Sequence, residues 1–174
     1  TANGSKALAY GRLRSLRRAI DLFGFHLAGV DLRQNSEVHE RTVHELLEVA
    51  NPGSGYCRRT EEERVILLAA ELSTPRLLAS PFVTYTGETN SELAVFRAAA
   101  EAQHRYGRDA VRNCVISKAD SASDILEVAL LAKEAGLLHP RDDVLNVDIV
   151  PLFETIAALR TSTLDVAPLQ SYAR

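Results

Sequence analysis

The sequence contains no methionine and only two cysteines among its 174 residues. Cys57 lies in a glycine-rich loop and Cys114 at the start of an apolar run. A disulfide framework or a cysteine-based metal knuckle would need more cysteines at characteristic spacings, so the two thiols instead predict a reduced, cytoplasmic protein. Because the chain lacks methionine and begins at Thr1 within a helical pattern, we expect it to be a piece of a longer polypeptide.

Long apolar runs and an excess of positive charge are missing as well. No apolar run approaches the roughly 20 residues of a membrane-spanning helix, and no signal peptide opens the chain. The formal net charge of -3 does not favour nucleic acid or an anionic membrane as a partner. A hydrophobic fraction of 46% with 25% charged residues is ordinary for a globular domain with one core.

Five segments carry apolar residues at helical spacing and are separated by turn signals. Two of them open with the form of a capping box, in which a threonine is followed three residues later by a glutamate: Thr60 with Glu63, and Thr89 with Glu92. The predicted helices run from about residue 6 to 23, 37 to 50, 60 toward 75, 89 to 107 and 121 to 136.

Three short, mostly apolar segments predict buried strands, at residues 26–32, 113–119 and 146–153. The last two enclose a helix within about 40 residues, which is the size of a βαβ unit, and the strands of such a unit are parallel. The sequence therefore predicts a helix-rich α/β segment that contributes parallel strands and helices to a β/α (TIM-like) barrel.

Polar side chains mark the ends of these strands: Arg33 and Gln34 after the first, Ser117 and Lys118 at the second, and Glu154 at the third. If the strands are parallel neighbours, these side chains converge at one edge, where β/α folds build substrate sites. A guanidinium matches phosphate oxygens and a carboxylate suits Mg²⁺, so Arg33 is a candidate phosphate ligand and Glu154 a candidate metal ligand. Two structural roles remain open: Arg33 in an ion pair, and Glu154 in the first turn of a helix.

Two histidines, His39 and His44, lie five residues apart on the predicted second helix. Metal-binding pairs on one helical face lie four residues apart, as in H-E-x-x-H. We therefore interpret both histidines as surface or packing residues.

Three segments, in this order, carry a resemblance to a known family: LRRAIDLFGFHLAGVDLRQNSEVHE, VISKADSASDILEVALLAKEAGLL and NVDIVPLFETI. They resemble the middle of bacterial-type phosphoenolpyruvate carboxylase, and EEERVILLAAELSTPRLL fits between the first two. The resemblance covers nearly the whole chain, and the combination of DLRQNS with VPLFET is its specific part. Lys118 departs from the family pattern, because many members carry methionine there in an ISM motif.

The resemblance implies a large, mainly helical cytoplasmic enzyme with a catalytic β-barrel, usually a tetramer. Such an enzyme uses Mg²⁺ or Mn²⁺ to convert phosphoenolpyruvate and bicarbonate into oxaloacetate and phosphate. Matched motif to motif, Arg33 falls on an active-site arginine close to the substrate phosphate, and Glu154 falls on one of two carboxylate metal ligands. Residues 1–174 would then form a single partial-barrel segment of a larger catalytic chain.

Several family motifs are absent from this chain, namely TAHPT, GYSDS and FHGRGG. The chain can therefore hold only part of an active site, and we expect it to be inactive alone. A different class of function stays open, in which the chain is a non-catalytic helical scaffold or subunit-interaction segment. The stretch from Glu71 to Arg76 resembles a family stretch near a subunit interface, where an acid and an arginine pair between chains.

Overall fold

The computed structural model describes residues 11–24, 28–142 and 144–154. The helices in these ranges are α1 (Arg12–Phe23), α2 (Ser36–Ala50), α3 (Glu61–Leu72), α4 (Gly87–Tyr106) and α5 (Ala122–Glu134). The strands are β1 (Leu32–Asn35), β2 (Asn113–Ser117), β3 (Leu138–His139), β4 (Val144–Leu145) and β5 (Asp148–Pro151). Single 3-10 turns lie at Tyr56–Arg58 and Arg108–Ala110.

The strands form a parallel sheet in the order β1-β2-β5, and β3 and β4 form a separate antiparallel pair. The predicted βαβ unit is confirmed as β2, α5 and β5, and the predicted α/β class is confirmed with it. The third predicted strand, at residues 146–153, is observed as the shorter β5, Asp148–Pro151. Its hydrogen bonding nevertheless continues, since Leu152 N donates to Ile116 O at 2.9 Å and Ala119 N to Leu152 O at 3.2 Å.

The predicted position of the first strand, residues 26–32, is wrong. The strand begins at Leu32, and residues 25–27 lie outside the described part of the chain. Leu32 pairs with Cys114 and Asn35 with Ser117, so Arg33 and Gln34 are inside the strand and do not follow it. The strand does not alternate apolar and polar residues, because polar side chains bond on both faces of the sheet. Arg33 bonds to Ser117 on one face, and Gln34 bonds to Glu92 on the other.

Helix starts follow the local capping signals at three of the four later helices. Asn35 Oδ1 accepts the Glu37 N–H at 3.0 Å to begin α2. The Thr60 and Glu63 capping box is confirmed at α3. At α5, Asp124 Oδ2 accepts the Ser121 N–H at 2.9 Å.

The fourth helix begins two residues before the predicted start. Thr86 caps α4, with its Oγ1 accepting the Thr89 N–H at 3.3 Å. Glu45 on α2 holds Thr86, accepting its N–H at 2.8 Å and its hydroxyl at 2.6 Å. Thr89 is therefore inside the helix, and the predicted capping box of Thr89 with Glu92 is wrong.

The core forms around α5, which packs against α2, α3 and the sheet. All residues from Ile125 to Glu134 are buried, because this helix is covered on every side. Cys114 is buried in the same core and Cys57 is exposed, both as free thiols. Burial raises the pKa of the Cys114 thiol to about 12, so it is protonated at neutral pH.

Helix α1 carries an apolar stripe that the described part of the chain leaves uncovered. No residue of α1 is buried, and Leu13, Leu16, Ile20 and Phe23 are exposed. The predicted start of this helix, residues 6–10, lies outside the described residues. Among the helices that the structure describes, none combines the length and apolar character needed to cross a membrane.

A buried polar cluster joins α2, α3 and α5. Tyr56 donates its hydroxyl to Glu127 Oε1 at 2.6 Å, and Glu127 has no exposed surface. The Arg64 guanidinium lies 5.2 Å from the centre of the Tyr56 ring and pairs with Glu40 Oε1 at 2.9 Å. Burial, with weaker contributions from Asp124 and Glu40, raises the pKa of Glu127 to about 8 despite the Tyr56 hydrogen bond and the Arg64 charge.

We predict that Glu127→Gln reduces the pH dependence of stability. The folded pKa of about 8 lies above the roughly 4.3 of an unfolded glutamate. The favourable contribution of Glu127 to the free energy of unfolding is therefore fully present below about pH 4.3. It is lost as the pH rises through about 8. A glutamine still accepts the Tyr56 hydrogen bond but does not titrate.

Thermal unfolding at pH 5, 6, 7 and 8 measures this effect. The wild-type melting temperature should fall relative to that of Glu127→Gln as the pH rises. The exposed Glu62→Gln on α3 serves as a control that should follow the wild type. Parallel curves for Glu127→Gln and the wild type would contradict the prediction.

Candidate active site

The parallel pairing of β1 with β2 brings two predicted site residues together. Arg33 and Ser117 lie near the carboxyl ends of these strands, and Arg33 Nε donates to Ser117 Oγ at 3.1 Å. Arg33 is exposed, and no acid in the described part of the chain pairs with it. The structural alternative, an ion pair that closes the strand, therefore has no partner within these residues. The terminal guanidinium nitrogens remain available to an anion.

Three successive residues anchor the chain directly after Arg33. Gln34 Nε2 donates to Glu92 Oε2 on α4 at 3.1 Å, so Gln34 lies on the helix-covered side of the sheet, opposite the exposed side that carries Arg33. Asn35 caps α2, and Ser36 Oγ donates to the Lys118 carbonyl at 2.8 Å. The end of β1 is thus tied to α4, to α2 and to the end of β2.

Lys118 follows β2 in a left-handed backbone conformation, with φ of 55°. This region is uncommon for a residue with a side chain, and such strain tends to occur at functional sites. Its Nζ lies 3.5 Å from Glu37 Oε1 and the side chain is half exposed. Lys118 and Glu37 therefore form an ion pair at the carboxyl edge of the sheet.

Glu154 lies two residues beyond Leu152, the last residue whose backbone bonds to the β2 segment, and it is exposed. It is on the carboxyl side of the sheet, like Arg33, but the described contacts do not join the two side chains. The helix predicted after Glu154 falls outside the described residues.

A metal site is not complete within the described residues, since they contain no group of three or more His, Cys, Asp or Glu side chains placed to hold an ion. Mg²⁺ favours several oxygen ligands in octahedral geometry. The carboxylate of Glu154 has the chemistry of one such ligand, and any others must lie elsewhere.

Sequence reasoning missed a buried pair behind β1, His39 on α2 and Glu92 on α4. His39 has no exposed surface, and its Nε2 lies 3.4 Å from Glu92 Oε1. Burial by itself would raise the pKa of Glu92, but the neighbouring His39 and Gln34 outweigh it, and the pKa is lowered. Glu92 is therefore ionised at neutral pH inside the protein.

The sequence places both residues within stripes of apolar residues at helical spacing. Glu92 lies on the same helical face as Leu93, Phe96 and Ala99, all buried. His39 shares a face with the buried Val43 in the same way. A charged or titratable residue within an apolar stripe is the pattern that identifies a buried polar pair.

The parallel pairing of β1 with β2 defines an α/β protein in which Arg33, Ser117 and the Lys118–Glu37 ion pair lie at the carboxyl ends of the strands. This is the position at which α/β folds build anion sites, so these residues form a candidate site. The family model described as "Phosphoenolpyruvate carboxylase" matches residues 1–171. The chain belongs to the phosphoenolpyruvate carboxylase family.

Individual relatives agree with the family match. The chain is 60% identical over 161 residues to the phosphoenolpyruvate carboxylase of Azoarcus sp. (strain BH72), covering 92% of this chain and 18% of the relative. It is 62% identical over 158 residues to that of Aromatoleum aromaticum, covering 91% and 17%. The chain therefore spans less than a fifth of the length of these curated relatives.

The stretch that resembles a family subunit interface shows a pair within one chain. Arg76 Nη2 lies 2.6 Å from Glu71 Oε1. Lys133 Nζ donates to the Glu71 carbonyl at 2.6 Å, which fixes the end of α3. Glu71 and Arg76 thus form an ion pair inside this chain, and the pairing expected between chains stays a prediction.

Proposed function

We propose that this chain is one segment of a complete phosphoenolpyruvate carboxylase, which converts phosphoenolpyruvate and bicarbonate into oxaloacetate and phosphate. The observation that carries the proposal is Arg33, an exposed guanidinium at the carboxyl edge of a parallel sheet without a carboxylate partner in the described residues. The family match over nearly the whole chain supports the same reaction.

The segment would contribute three neighbouring strands to a β/α barrel, with residues 1–174 as a single partial-barrel unit. In support, helices cover one side of the sheet, where Cys114 and Ile116 are buried. On the other side Arg33 and Val150 are exposed. A barrel formed with strands from the rest of the protein would enclose this second side.

Both substrates are anions, and the family mechanism passes through carboxyphosphate and the enolate of pyruvate. Arg33 would bind the phosphoryl group through its terminal nitrogens, since its Nε is already engaged by Ser117. This fixed orientation places positive charge where negative charge must be stabilised. Lys118 lies at the same edge, where its charge is offset by the carboxylate of Glu37, so Arg33 would be the main cation for the phosphoryl group.

Mg²⁺ or Mn²⁺, when bound, would supply further positive charge for these anions. Glu154 would be one carboxylate ligand of that metal, with the remaining ligands outside the described residues. The complete enzyme would be a cytoplasmic homo-oligomer, a tetramer by the pattern of the family, and the free thiols of Cys57 and Cys114 fit a reducing compartment.

The proposed function is tested with the full-length protein. Phosphate release from phosphoenolpyruvate should require bicarbonate and a divalent metal, and oxaloacetate should form in equal amount. A folded protein without this activity would support the alternative of a non-catalytic helical scaffold or subunit-interaction segment.

We predict that Arg33→Lys in the full-length enzyme lowers turnover by roughly 10²-fold or more, the scale seen when one preorganised donor is lost. An ammonium keeps the charge but cannot form the planar two-nitrogen contact with a phosphate. Steady-state kinetics and thermal unfolding of the same preparation measure the effect, and stability should be nearly unchanged.

The matched control is Arg41→Lys on α2, an exposed arginine that pairs with Glu88. Its kinetics should stay close to the wild type. If Arg33→Lys lowers the melting temperature while the folded fraction keeps near-normal kinetics, Arg33 does not act on the substrate.

A separate prediction concerns the metal. Glu154→Ala in the full-length enzyme should raise the Mg²⁺ concentration needed for half-maximal activity and lower the maximal rate, because one of few carboxylate ligands is removed. Titration of activity with Mg²⁺ measures both quantities. The exposed Glu101→Ala on α4 is the control, and an unchanged Mg²⁺ dependence of Glu154→Ala would assign Glu154 a structural role.

A further inference from the structure

The residue next to the site arginine connects the site to a buried acid. Successive side chains of a strand point to opposite faces, so Arg33 faces the open side while Gln34 faces α4. Gln34 Nε2 donates to Glu92 Oε2 at 3.1 Å, and Gln34 Oε1 accepts the Asn35 N–H at 2.9 Å. The reversed amide would set two donors against each other at Asn35, so the observed orientation is the one that satisfies both contacts.

Glu92 is a costly residue at this position. It is 4% exposed and lies among the apolar side chains Leu93 and Phe96. A buried charge is destabilising unless it is paired, and an apolar side chain of similar size would often be at least as stable. Packing therefore does not explain an acid here, whereas a charged acceptor for Gln34 does, because such hydrogen bonds are stronger than neutral ones.

His39 completes the group on the side away from Gln34. Its Nε2 lies 3.4 Å from Glu92 Oε1, and its ring packs edge-on against Phe96 with centroids 6.3 Å apart. Neither ring nitrogen has a hydrogen-bond partner among the described residues. A small cavity of about 50 Å³, lined partly by Gln34, His39 and Glu92, adjoins them and has room for water.

We propose that Glu92 is a positioning residue, which through its hydrogen bond to Gln34 fixes the end of β1 and hence the direction of the Arg33 guanidinium. This inference rests on the proposed function. Glu92 is buried on the helix-covered side of the sheet, opposite the open side that Arg33 faces, and it lies 58 positions from Gln34 in the sequence. Its effect on the reaction passes entirely through β1.

Two variants of the full-length enzyme test the proposal. Glu92→Leu removes the acceptor and fills the space with an apolar group, and Glu92→Gln keeps a neutral acceptor. If Arg33 binds the phosphate of phosphoenolpyruvate as proposed, the KM for phosphoenolpyruvate should rise on the order of tenfold in Glu92→Leu and less in Glu92→Gln. Turnover should fall in the same direction as in Arg33→Lys, but by less. The KM for bicarbonate should stay unchanged in both.

The split between the two KM values separates positioning from stability. A variant that only unfolds more easily lowers the amount of active enzyme and moves neither KM. When Glu92→Leu is combined with Arg33→Lys, the double variant should have nearly the same kinetics with phosphoenolpyruvate as Arg33→Lys alone. Two changes that act through one contact are not additive. The control is Glu101→Leu, which replaces an exposed acid on the same helix.

Hydrogen exchange provides a readout that does not depend on activity. The backbone N–H groups of Leu32 to Asn35 should exchange faster in Glu92→Leu than in the wild type and in Glu101→Leu. Unchanged exchange in β1 would overturn the proposal, as would an unchanged KM for phosphoenolpyruvate in an active enzyme. If the wild type is inactive, the proposed function fails and the catalytic part of this inference with it, while exchange still decides whether Glu92 holds β1.

Discussion

The parallel pairing of β1 with β2 is the constraint on which the candidate site depends. In this register Arg33 lies opposite Val115 and Asn35 opposite Ser117, so Arg33 reaches the Ser117 hydroxyl on the open side of the sheet. Side chains alternate between faces, and a slip of one residue would turn Arg33 toward the helices and Gln34 toward the solvent. Burying a guanidinium is costly, and the slip would also break the bond from Gln34 to Glu92, so the core favours the register that exposes Arg33.

The register of this four-residue strand is supported by side-chain contacts as well as by its backbone hydrogen bonds. The additional contacts come from helices: Asn35 caps α2, Ser36 reaches the carbonyl of Lys118, and Gln34 bonds to Glu92 on α4. Behind them α5 is buried on every side and provides a rigid support for the sheet. The backbone that carries Arg33 is thus held by contacts on several elements, which is the arrangement that a preorganised anion site needs.

What the sequence could predict follows from the range of the interactions involved. The helices and the βαβ unit depend on apolar periodicity and on caps such as Thr60 with Glu63, which are signals within a few residues. The first strand depends on pairing with residues more than 80 positions away, and its polar sequence carries no local pattern. The start of α4 was misplaced for a related reason: Thr89 and Glu92 match the capping motif, but Glu45 on another helix holds Thr86 as the cap. Arg33 was identified from its position near the end of a predicted strand, and the family resemblance pointed to the same residue, whereas Glu92 was interpreted as a capping acid.

Arg33 has no carboxylate partner among the described residues, which gives a physical reason for coupling between assembly and ligand binding. In the described residues the guanidinium is exposed, and water can solvate it at little cost. If further strands close a barrel over the open side of the sheet, as we propose, water is removed and the charge requires an anion. The phosphate of the proposed substrate would meet that requirement, and its interaction with Arg33 would become stronger in the drier environment. The same desolvation would make binding depend more strongly on the direction of the guanidinium, because water would no longer solvate a charge that points away from the phosphate. A buried acid that fixes β1 from behind would therefore have its largest effect in the complete barrel.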